Sequence, residues 1–163
     1  MNDVDHFSIQ NKALDILERF NIDEPVVDVV KIAEESGIKV KEIQMPEKYS
    51  DVAGFYNEVE KVIYVELNDK PSRKLFTIAH ELGHVFLGHK NYDLLFRIPK
   101  ENASYSKEEQ EANSFAASLL MPDFMVKEYL KKYDLTKGDY VEMSKMFGVP
   151  IVTARVNLEH LRQ

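Results

Sequence analysis

The segment His80-Glu81-Leu82-Gly83-His84 holds the residues whose types and spacing could do chemistry. Histidines four residues apart stand one turn above each other on a helix, so both imidazoles can bind one metal ion. Glu81 lies beside the first histidine and could activate a water molecule at that ion without binding the ion itself. The spacing predicts the zinc-binding helix of a metallopeptidase. The alternative is a pair of hydrogen-bonded histidines in the core.

The residues that surround this motif favour the metal site. Phe76-Thr77-Ile78-Ala79 precede the motif and Val85-Phe86-Leu87 follow it, so the helix is apolar on both sides. Two histidines and a glutamate in such surroundings need polar partners. The 163-residue chain has no cysteine, so any metal must be held by nitrogen and oxygen atoms.

A catalytic zinc site needs a third protein ligand and one open position. One known arrangement adds a third histidine in the pattern His-x-x-Gly-x-x-His, which would place glycine at position 87 and histidine at position 90. The chain has Leu87 and Lys90 there, and Gly88 and His89 are each out of register by one. A third histidine is therefore disfavoured, and His89 is predicted to lie in a loop near the site.

A carboxylate from the following helix is the other solution, and Glu108, Glu109 and Glu111 are the candidates. Glu109 matches a Ser-x-x-Glu capping box with Ser106, and Glu108 lies in the first turn, where a carboxylate favours the helix dipole. Glu111 lies one turn before Phe115, at the edge of the buried stripe, where it would need a positive partner. We predict Glu111 as the third ligand and Glu108 as its main rival; the non-functional interpretation of Glu111 is a solvated helix flank.

The elements that must position these residues follow from the spacing of apolar residues. Helices are predicted over 8–20, 26–36, 72–88, 106–122, 123–132, 139–148 and 150–161, and strands over 38–43, 52–56 and 62–67. Residues 57–61 fit a hairpin connection, which favours a small antiparallel sheet of three strands. Residues 90–105, with Pro99 and Asn102 among them, are predicted to be irregular. The fold class is therefore α+β.

The composition is that of a globular domain, with 44% hydrophobic and 30% charged residues. The formal net charge of −7 argues against nucleic acid as the main partner. The N-terminus is acidic and lacks the features of a signal peptide, and the longest strongly apolar stretch, residues 115–121, is far shorter than the roughly 20 residues of a membrane helix. We expect a cytoplasmic protein with no membrane partner.

Several segments together resemble the ImmA/IrrE family of metallo-endopeptidases. The His-Glu-x-x-His core is generic, whereas the run that follows it at a distance is much more specific. The segments are Gly54, residues 76–84, Glu111-Ala112-Asn113-x-Phe115-Ala116-Ala117 running into Leu119-Leu120-Met121-Pro122, and Phe147-Gly148-Val149-Pro150.

The resemblance implies a zincin-like domain over residues 1–122 and a C-terminal subdomain of helix-turn-helix type over residues 123–163. By motif match, His80, His84 and Glu111 would bind Zn²⁺, with Mn²⁺ as an alternative, and Glu81 would be the general base. Family members typically cleave a helix-turn-helix repressor of a phage, a mobile element or a stress operon. No motif names the residue that stabilises the oxyanion. Tyr92, Tyr105 and His89 are candidates.

Two other functions are alternatives to a protease. The C-terminal helices have the lengths of a helix-turn-helix, but the last helix carries only Arg155, with Arg162 just beyond, so direct DNA binding is disfavoured. The apolar residues of that helix are expected to pack, and protein recognition or structural support fits better. The other alternative is a non-catalytic metal-binding regulator or a toxin–antitoxin component, against which the intact Glu81 argues.

Overall fold

The structure, a computed structural model, describes residues 3–90, the backbone of residues 95–97, and residues 105–161. These residues form an α+β fold, as the sequence predicts. None of the helices in this part of the chain combines the length and the apolar character that crossing a membrane requires. The helices are α1 (His6–Arg19), α2 (Val29–Glu35), α3 (Pro71–Phe86), α4 (Lys107–Leu120), α5 (Asp123–Lys132), α6 (Tyr140–Phe147) and α7 (Ile151–Glu159). The strands are β1 (Lys39–Ile43), β2 (Val52–Asn57), β3 (Val62–Glu66) and β4 (Leu95–Arg97).

The elements follow the predicted periods closely, with one exception. Every predicted helix is present, and their ends differ from the predicted ends by three residues at most. The exception is β4, which lies inside the segment predicted to be irregular. A strand of three residues is too short to show the two-residue alternation on which a strand prediction depends. Pro99 and Asn102 of that segment lie outside the described residues.

The sheet has the strand order β1-β3-β2-β4 and is mixed. The hairpin of β2 and β3 is antiparallel, as predicted, but β1 pairs with β3 in parallel, with Lys39 opposite Val62 and Ile43 opposite Glu66. The expected antiparallel arrangement is therefore wrong for β1, and β4 adds a fourth strand beside β2. The chain reverses direction between β1 and β2 and again between β2 and β3, so β1 and β3 run in the same direction. They pair in parallel because β1 lies on the edge of β3 that β2 does not occupy.

Helix α3, which carries the histidine motif, packs directly on the sheet at Gly54. A Cβ added to Gly54 would lie 2.5 Å from Thr77 Cγ2 and 2.7 Å from the Tyr64 carbonyl oxygen. Real side chains do not approach this closely, so only glycine lets β2 and α3 make this contact. The sheet therefore fixes the height and rotation of the helix one turn before the first histidine.

The C-terminal helices share the core with the rest of the described chain. Met125, Met143, Phe147 and Leu158 are fully buried in the same hydrophobic cluster as Phe115 of α4. The side chain of residue 157 adds a polar tie, because Asn157 Nδ2 donates a hydrogen bond to the Ala117 carbonyl at 3.3 Å. The division of the chain after residue 122 stays a prediction.

Replacing Gly54 with alanine should destabilise the fold. The new Cβ meets a backbone carbonyl that cannot rotate away, so we expect Gly54→Ala to lower the free energy of unfolding by about 1–3 kcal/mol. Urea denaturation measures the change. Gly138→Ala is the matched control, since a Cβ there would meet only Thr136 Oγ1 at 3.6 Å. Equal stability of the two variants would contradict the proposed close contact.

Candidate metal centre

The histidine motif is buried on every side of α3. All eight residues from Thr77 to His84 are buried, and the exposed fractions of His80, Glu81 and His84 are 0%, 1% and 1%. Ionisable side chains are almost never buried to this extent unless they are paired or bind a metal. The apolar surroundings expected for the motif are therefore present, and its polar groups must be satisfied inside the protein.

Helix α4 approaches α3 at Gly83, the glycine of the motif. A Cβ added to Gly83 would lie 3.2 Å from the Ala112 Cα, from the Ala112 carbonyl oxygen and from Phe115 Cδ1. The absence of a side chain on Gly83, and the small one on Ala112, let the two backbones come close together. As a result, side chains from the start of α4 reach the imidazoles of α3.

The carboxylate that meets the two histidines is that of Glu109. Glu109 Oε2 lies 3.0 Å from His80 Nε2, Glu109 Oε1 lies 2.9 Å from His84 Nε2, and the two imidazole Nε2 atoms are 3.2 Å apart. Two imidazole nitrogens and one carboxylate therefore converge on one point, and their donor atoms all lie within 4.8 Å of one another.

The outward-facing nitrogen of each histidine has its own partner. His80 Nδ1–H donates to Asn113 Oδ1 at 2.8 Å, and Asn113 is one turn after Glu109 on α4. His84 Nδ1 lies 2.9 Å from His89 Nδ1, and His89 Nε2 in turn lies 2.6 Å from Glu111 Oε2. Partners on the second nitrogen orient the imidazole ring, as is typical of metal-binding histidines.

The structure brings together three of the predicted site residues, His80, Glu81 and His84, but it places Glu111 at His89 instead of at the histidine pair. The residue that sequence reasoning passed over is Glu109, which was assigned to helix capping. Half of that capping box is present, because the Glu109 N–H donates to Ser106 Oγ at 3.2 Å. The carboxylate itself lies against the histidines, so the expectation that capping occupies Glu109 is wrong. Glu111 as a ligand stays a prediction.

The charges of this cluster favour the protonation states that a metal needs. Burial raises the pKa of Glu109, but the adjacent imidazoles of His80 and His84 outweigh burial and lower the pKa to about 2. Burial lowers the pKa of His84 below its usual range, although Glu109 opposes this shift. At neutral pH the carboxylate is therefore ionised and His84 is neutral, and these are the forms that bind a cation.

The donor set and its spacing fit a zinc ion. Zinc bonds of about 2.0–2.1 Å in tetrahedral geometry put neighbouring ligand atoms roughly 3.4 Å apart, close to the 2.9–3.2 Å separations found here. Glu109 Oε1 is buried and, among the described residues, has no hydrogen-bond donor in line with it, although His84 Nε2 is only 2.9 Å away. Two histidines and one glutamate form a known set of ligands for catalytic zinc.

A groove of about 1030 Å³ opens beside the cluster and runs between α1, α4 and α7. Phe76 and Asn113 belong both to its wall and to the surroundings of His80. Of the three candidates for oxyanion stabilisation, Tyr105 lines this groove, His89 is held by Glu111, and Tyr92 lies outside the described residues. The groove could admit an extended or helical polypeptide segment.

Comparison with known proteins identifies the family. Residues 33–159 match the family model of peptidase M78, described as the IrrE N-terminal-like domain. The chain belongs to the peptidase M78 family. The matched region includes the whole sheet and both helices of the histidine and glutamate cluster, so the family assignment covers the site as well as the fold. The resemblance to ImmA/IrrE metallopeptidases is thereby confirmed.

Individual relatives agree with this membership. Over 110 residues the M78 chain is 34% identical to a protein of Bacillus phage phi105 named immunity region protein 2, covering 66% of each sequence. It is 32% identical over 108 residues to the radiation response metalloprotease IrrE of Deinococcus radiodurans, covering 62% of this chain and 31% of the relative. It is 35% identical over 66 residues to the metallopeptidase ImmA of Bacillus subtilis, covering 40% and 38%. The match therefore spans less than two thirds of each relative's length.

A solved structure shares the fold. A chain named Mycobacterium tuberculosis transcriptional regulator superimposes with a TM-score of 0.69 at 17% sequence identity. The match covers 96% of the M78 chain and 57% of the other chain, so the C-terminal helices belong to the shared architecture.

Gly83→Ala should weaken metal binding without removing a ligand. Alanine favours a helix over glycine by about 1 kcal/mol, but here its Cβ would push against the backbone of α4 and move Glu109 away from the histidines. We expect a zinc affinity at least about tenfold lower, measured by competition with a chelator. Gly138→Ala again serves as the control. Unchanged zinc affinity in Gly83→Ala would show that the close approach of α4 is not needed.

Proposed function

We propose that this protein is a metallo-endopeptidase that hydrolyses a peptide bond in a protein substrate. The observation that carries the proposal is the convergence of His80, His84 and Glu109 within 4.8 Å beside the buried Glu81. Membership of a peptidase family supports the same activity. We further propose that the substrate is a repressor and that the cleavage takes place in the cytoplasm.

His80, His84 and Glu109 are the proposed ligands, and Zn²⁺, with Mn²⁺ as an alternative, is the proposed ion. The sequence favoured Glu111 as the third ligand, but the positions of the carboxylates support Glu109. A zinc ion held there would polarise the scissile carbonyl and lower the pKa of a water molecule to about 7.

Glu81 is the proposed general base. It follows His80 on α3 and is 1% exposed, so its carboxylate acts in a site from which bulk water is excluded. Glu81 accepts a proton from the attacking water as the new carbon–oxygen bond forms. It then delivers that proton to the amide nitrogen as the carbon–nitrogen bond breaks. The two transfers balance, and Glu81 ends in its starting state.

The proposed substrate is a helix-turn-helix repressor. The groove beside the site supports a polypeptide substrate, because it is open to solvent and most of the surface that lines it is apolar. The name of the phage relative, immunity region protein 2, is consistent with a role beside a phage repressor. This protein carries a net charge of −7, so electrostatic attraction favours a basic DNA-binding protein as its partner over DNA itself.

Helix α7 supports protein recognition over DNA binding. Ala154 and Leu158 pack in the core as predicted, but Ile151, Val152 and Val156 are 52%, 56% and 44% exposed, contrary to the expectation that they pack. A helix that reads DNA presents polar and basic side chains to the groove. These exposed apolar side chains also fit the second candidate function, which is a non-catalytic regulator that acts by binding a protein.

The Glu81→Gln variant should still bind the metal but should no longer cleave the substrate efficiently. The amide cannot accept the proton of water, so we expect the rate of cleavage to fall by about 10²–10⁴-fold while zinc content stays stoichiometric. Purified protein with added zinc or manganese is mixed with the repressor of its own locus, and fragments are identified by mass spectrometry. One cut made only by the parent supports the protease. Near-parental cleavage by Glu81→Gln would exclude Glu81 as the base, and stoichiometric metal without any cut would favour the regulator.

Loss of a ligand should remove the metal itself. We expect His80→Ala and Glu109→Gln each to lower zinc affinity by more than about 100-fold, beyond the loss typical of a residue that only supports a ligand. Metal content is measured by atomic emission after gel filtration. Glu108→Gln is the matched control, because Glu108 is an exposed neighbour on the same turn of α4. If Glu109→Gln retains zinc and Glu111→Gln loses it, the third ligand is Glu111 and not Glu109.

A further inference from the structure

We infer that His89 and Glu111 form a positioning pair that holds His84 in the orientation and tautomer needed to bind the metal. The inference rests on the proposed function, since it gives a role to two residues that the proposed chemistry does not use. His89 follows α3 in a loop, and Glu111 belongs to α4. Neither donates an atom to the His80, His84 and Glu109 cluster.

The pair is connected to His84 by two short contacts in series. His84 Nδ1 and His89 Nδ1 lie 2.9 Å apart, and His89 Nε2 lies 2.6 Å from Glu111 Oε2. The His89 side chain is 8% exposed and that of Glu111 is 19% exposed, so the contacts are largely shielded from solvent. Such shielding strengthens hydrogen bonds and makes an unsatisfied one costly.

Only one placement of protons is compatible with metal binding through His84 Nε2. The Nε2 atom must then be free of a proton, so the neutral His84 ring carries its proton on Nδ1. His84 Nδ1–H therefore donates to His89 Nδ1, and the proton of the His89 ring is on Nε2. His89 Nε2–H donates to the Glu111 carboxylate, which can only accept. Each donor has an acceptor, and the carboxylate at the end sets the direction of the whole chain.

The local backbone brings His89 back onto the helix that it has just left. Gly88 adopts a left-handed conformation with φ of 71°, which ends α3, and the His89 N–H then donates to the His84 carbonyl at 3.0 Å. The imidazole is thereby held against the ring of the same residue, with ring centres 5.1 Å apart. On the other side, Lys107 Nζ lies 3.6 Å from Glu111 Oε1 and restrains the carboxylate.

The arrangement also repeats a pattern within the site. Asn113 on α4 accepts the Nδ1–H of His80, and Glu111 on the same helix reaches the Nδ1–H of His84 through His89. Both proposed ligand histidines are therefore oriented from α4, directly in one case and through one intervening ring in the other. Support of this kind around a ligand is commonly worth about 10–100-fold in metal affinity.

The test compares zinc dissociation constants, obtained by competition with a chromogenic chelator, for the full chain and its variants. His89→Phe keeps a ring of similar shape without a hydrogen bond, and we expect about 10–100-fold weaker zinc binding. His89→Asn keeps an oxygen acceptor near the position of Nδ1, so it should recover part of that loss. Glu111→Ala should resemble His89→Phe, and Glu128→Ala, which changes an exposed glutamate of α5, should match the parent.

The double variant His89→Phe with Glu111→Ala shows whether the two residues act as one unit. We expect it to bind zinc no more weakly than the worse single variant, because either change already breaks the chain. In the zinc-loaded parent, NMR should show the Nδ1 proton of His84 as a slowly exchanging, hydrogen-bonded resonance, and this proton should exchange faster with water in His89→Phe. Thermal unfolding of the metal-free variants shows whether any of them has lost its fold.

The outcomes separate this inference from the proposed function. Parental zinc affinity and unchanged exchange of the His84 Nδ1 proton in a folded, zinc-loaded His89→Phe would overturn the positioning role and leave the metal site intact. Additive losses in the double variant would also overturn it. Complete loss of zinc in Glu111→Ala alone, with tight binding in His89→Phe, would make Glu111 a ligand. Failure of the parent to bind zinc at all would overturn the proposed function itself.

Discussion

The close contact between α3 and α4 at Gly83 is the constraint on which the site depends. The two histidines belong to one helix, but the carboxylate that faces them belongs to the other. So do Asn113, which holds His80, and Glu111, which reaches His84 through His89. A side chain at Gly83 would stand 3.2 Å from the backbone of Ala112. The motif glycine is therefore a packing residue, and its effect on the chemistry is to set how far Glu109 stands from the imidazoles.

The burial of the cluster explains why its members must be so completely partnered. Removing ionisable groups from water is costly unless they meet opposite charges or hydrogen-bond donors in good geometry. Here the Glu109 carboxylate lies between two imidazoles, and its pKa falls to about 2 even though burial alone would raise it. A divalent cation bound between the imidazoles would place two positive charges beside the same carboxylate. The ionised carboxylate, which the imidazoles stabilise in the metal-free cluster, would therefore also attract the ion.

Most of the fold was predictable because it depends on periodicities that extend over many residues. The helical motif, its buried setting and the β2–β3 hairpin all follow from such patterns. The order of the sheet did not, because the side of β3 that β1 occupies depends on contacts between distant parts of the chain. A strand as short as β4 likewise leaves too little pattern to detect.

The carboxylate that faces the two histidines was missed for a different reason, which was the weight given to a local motif. At about 100° per residue, Glu109 lies within roughly 50° of the mean direction of the buried stripe on α4, whereas Glu111 lies roughly 110° from it. The capping pattern with Ser106 made Glu109 look occupied, although capping uses its backbone N–H and leaves the carboxylate available. The spacing of Glu109 and Asn113, one turn apart on the same face, was the signal that could have identified it.

The position of Glu109 in the first turn of α4 links metal binding to the beginning of a helix. First turns fray more readily than helix interiors, and here Ser106 Oγ holds the turn by accepting the Glu109 N–H. Each opening of that turn would carry the carboxylate away from the imidazoles, so the measured affinity for an ion includes the free energy of closing the turn. Ser106 offers no ligand atom to the cluster, yet its hydroxyl holds the Glu109 backbone and so contributes to how long an ion would stay there.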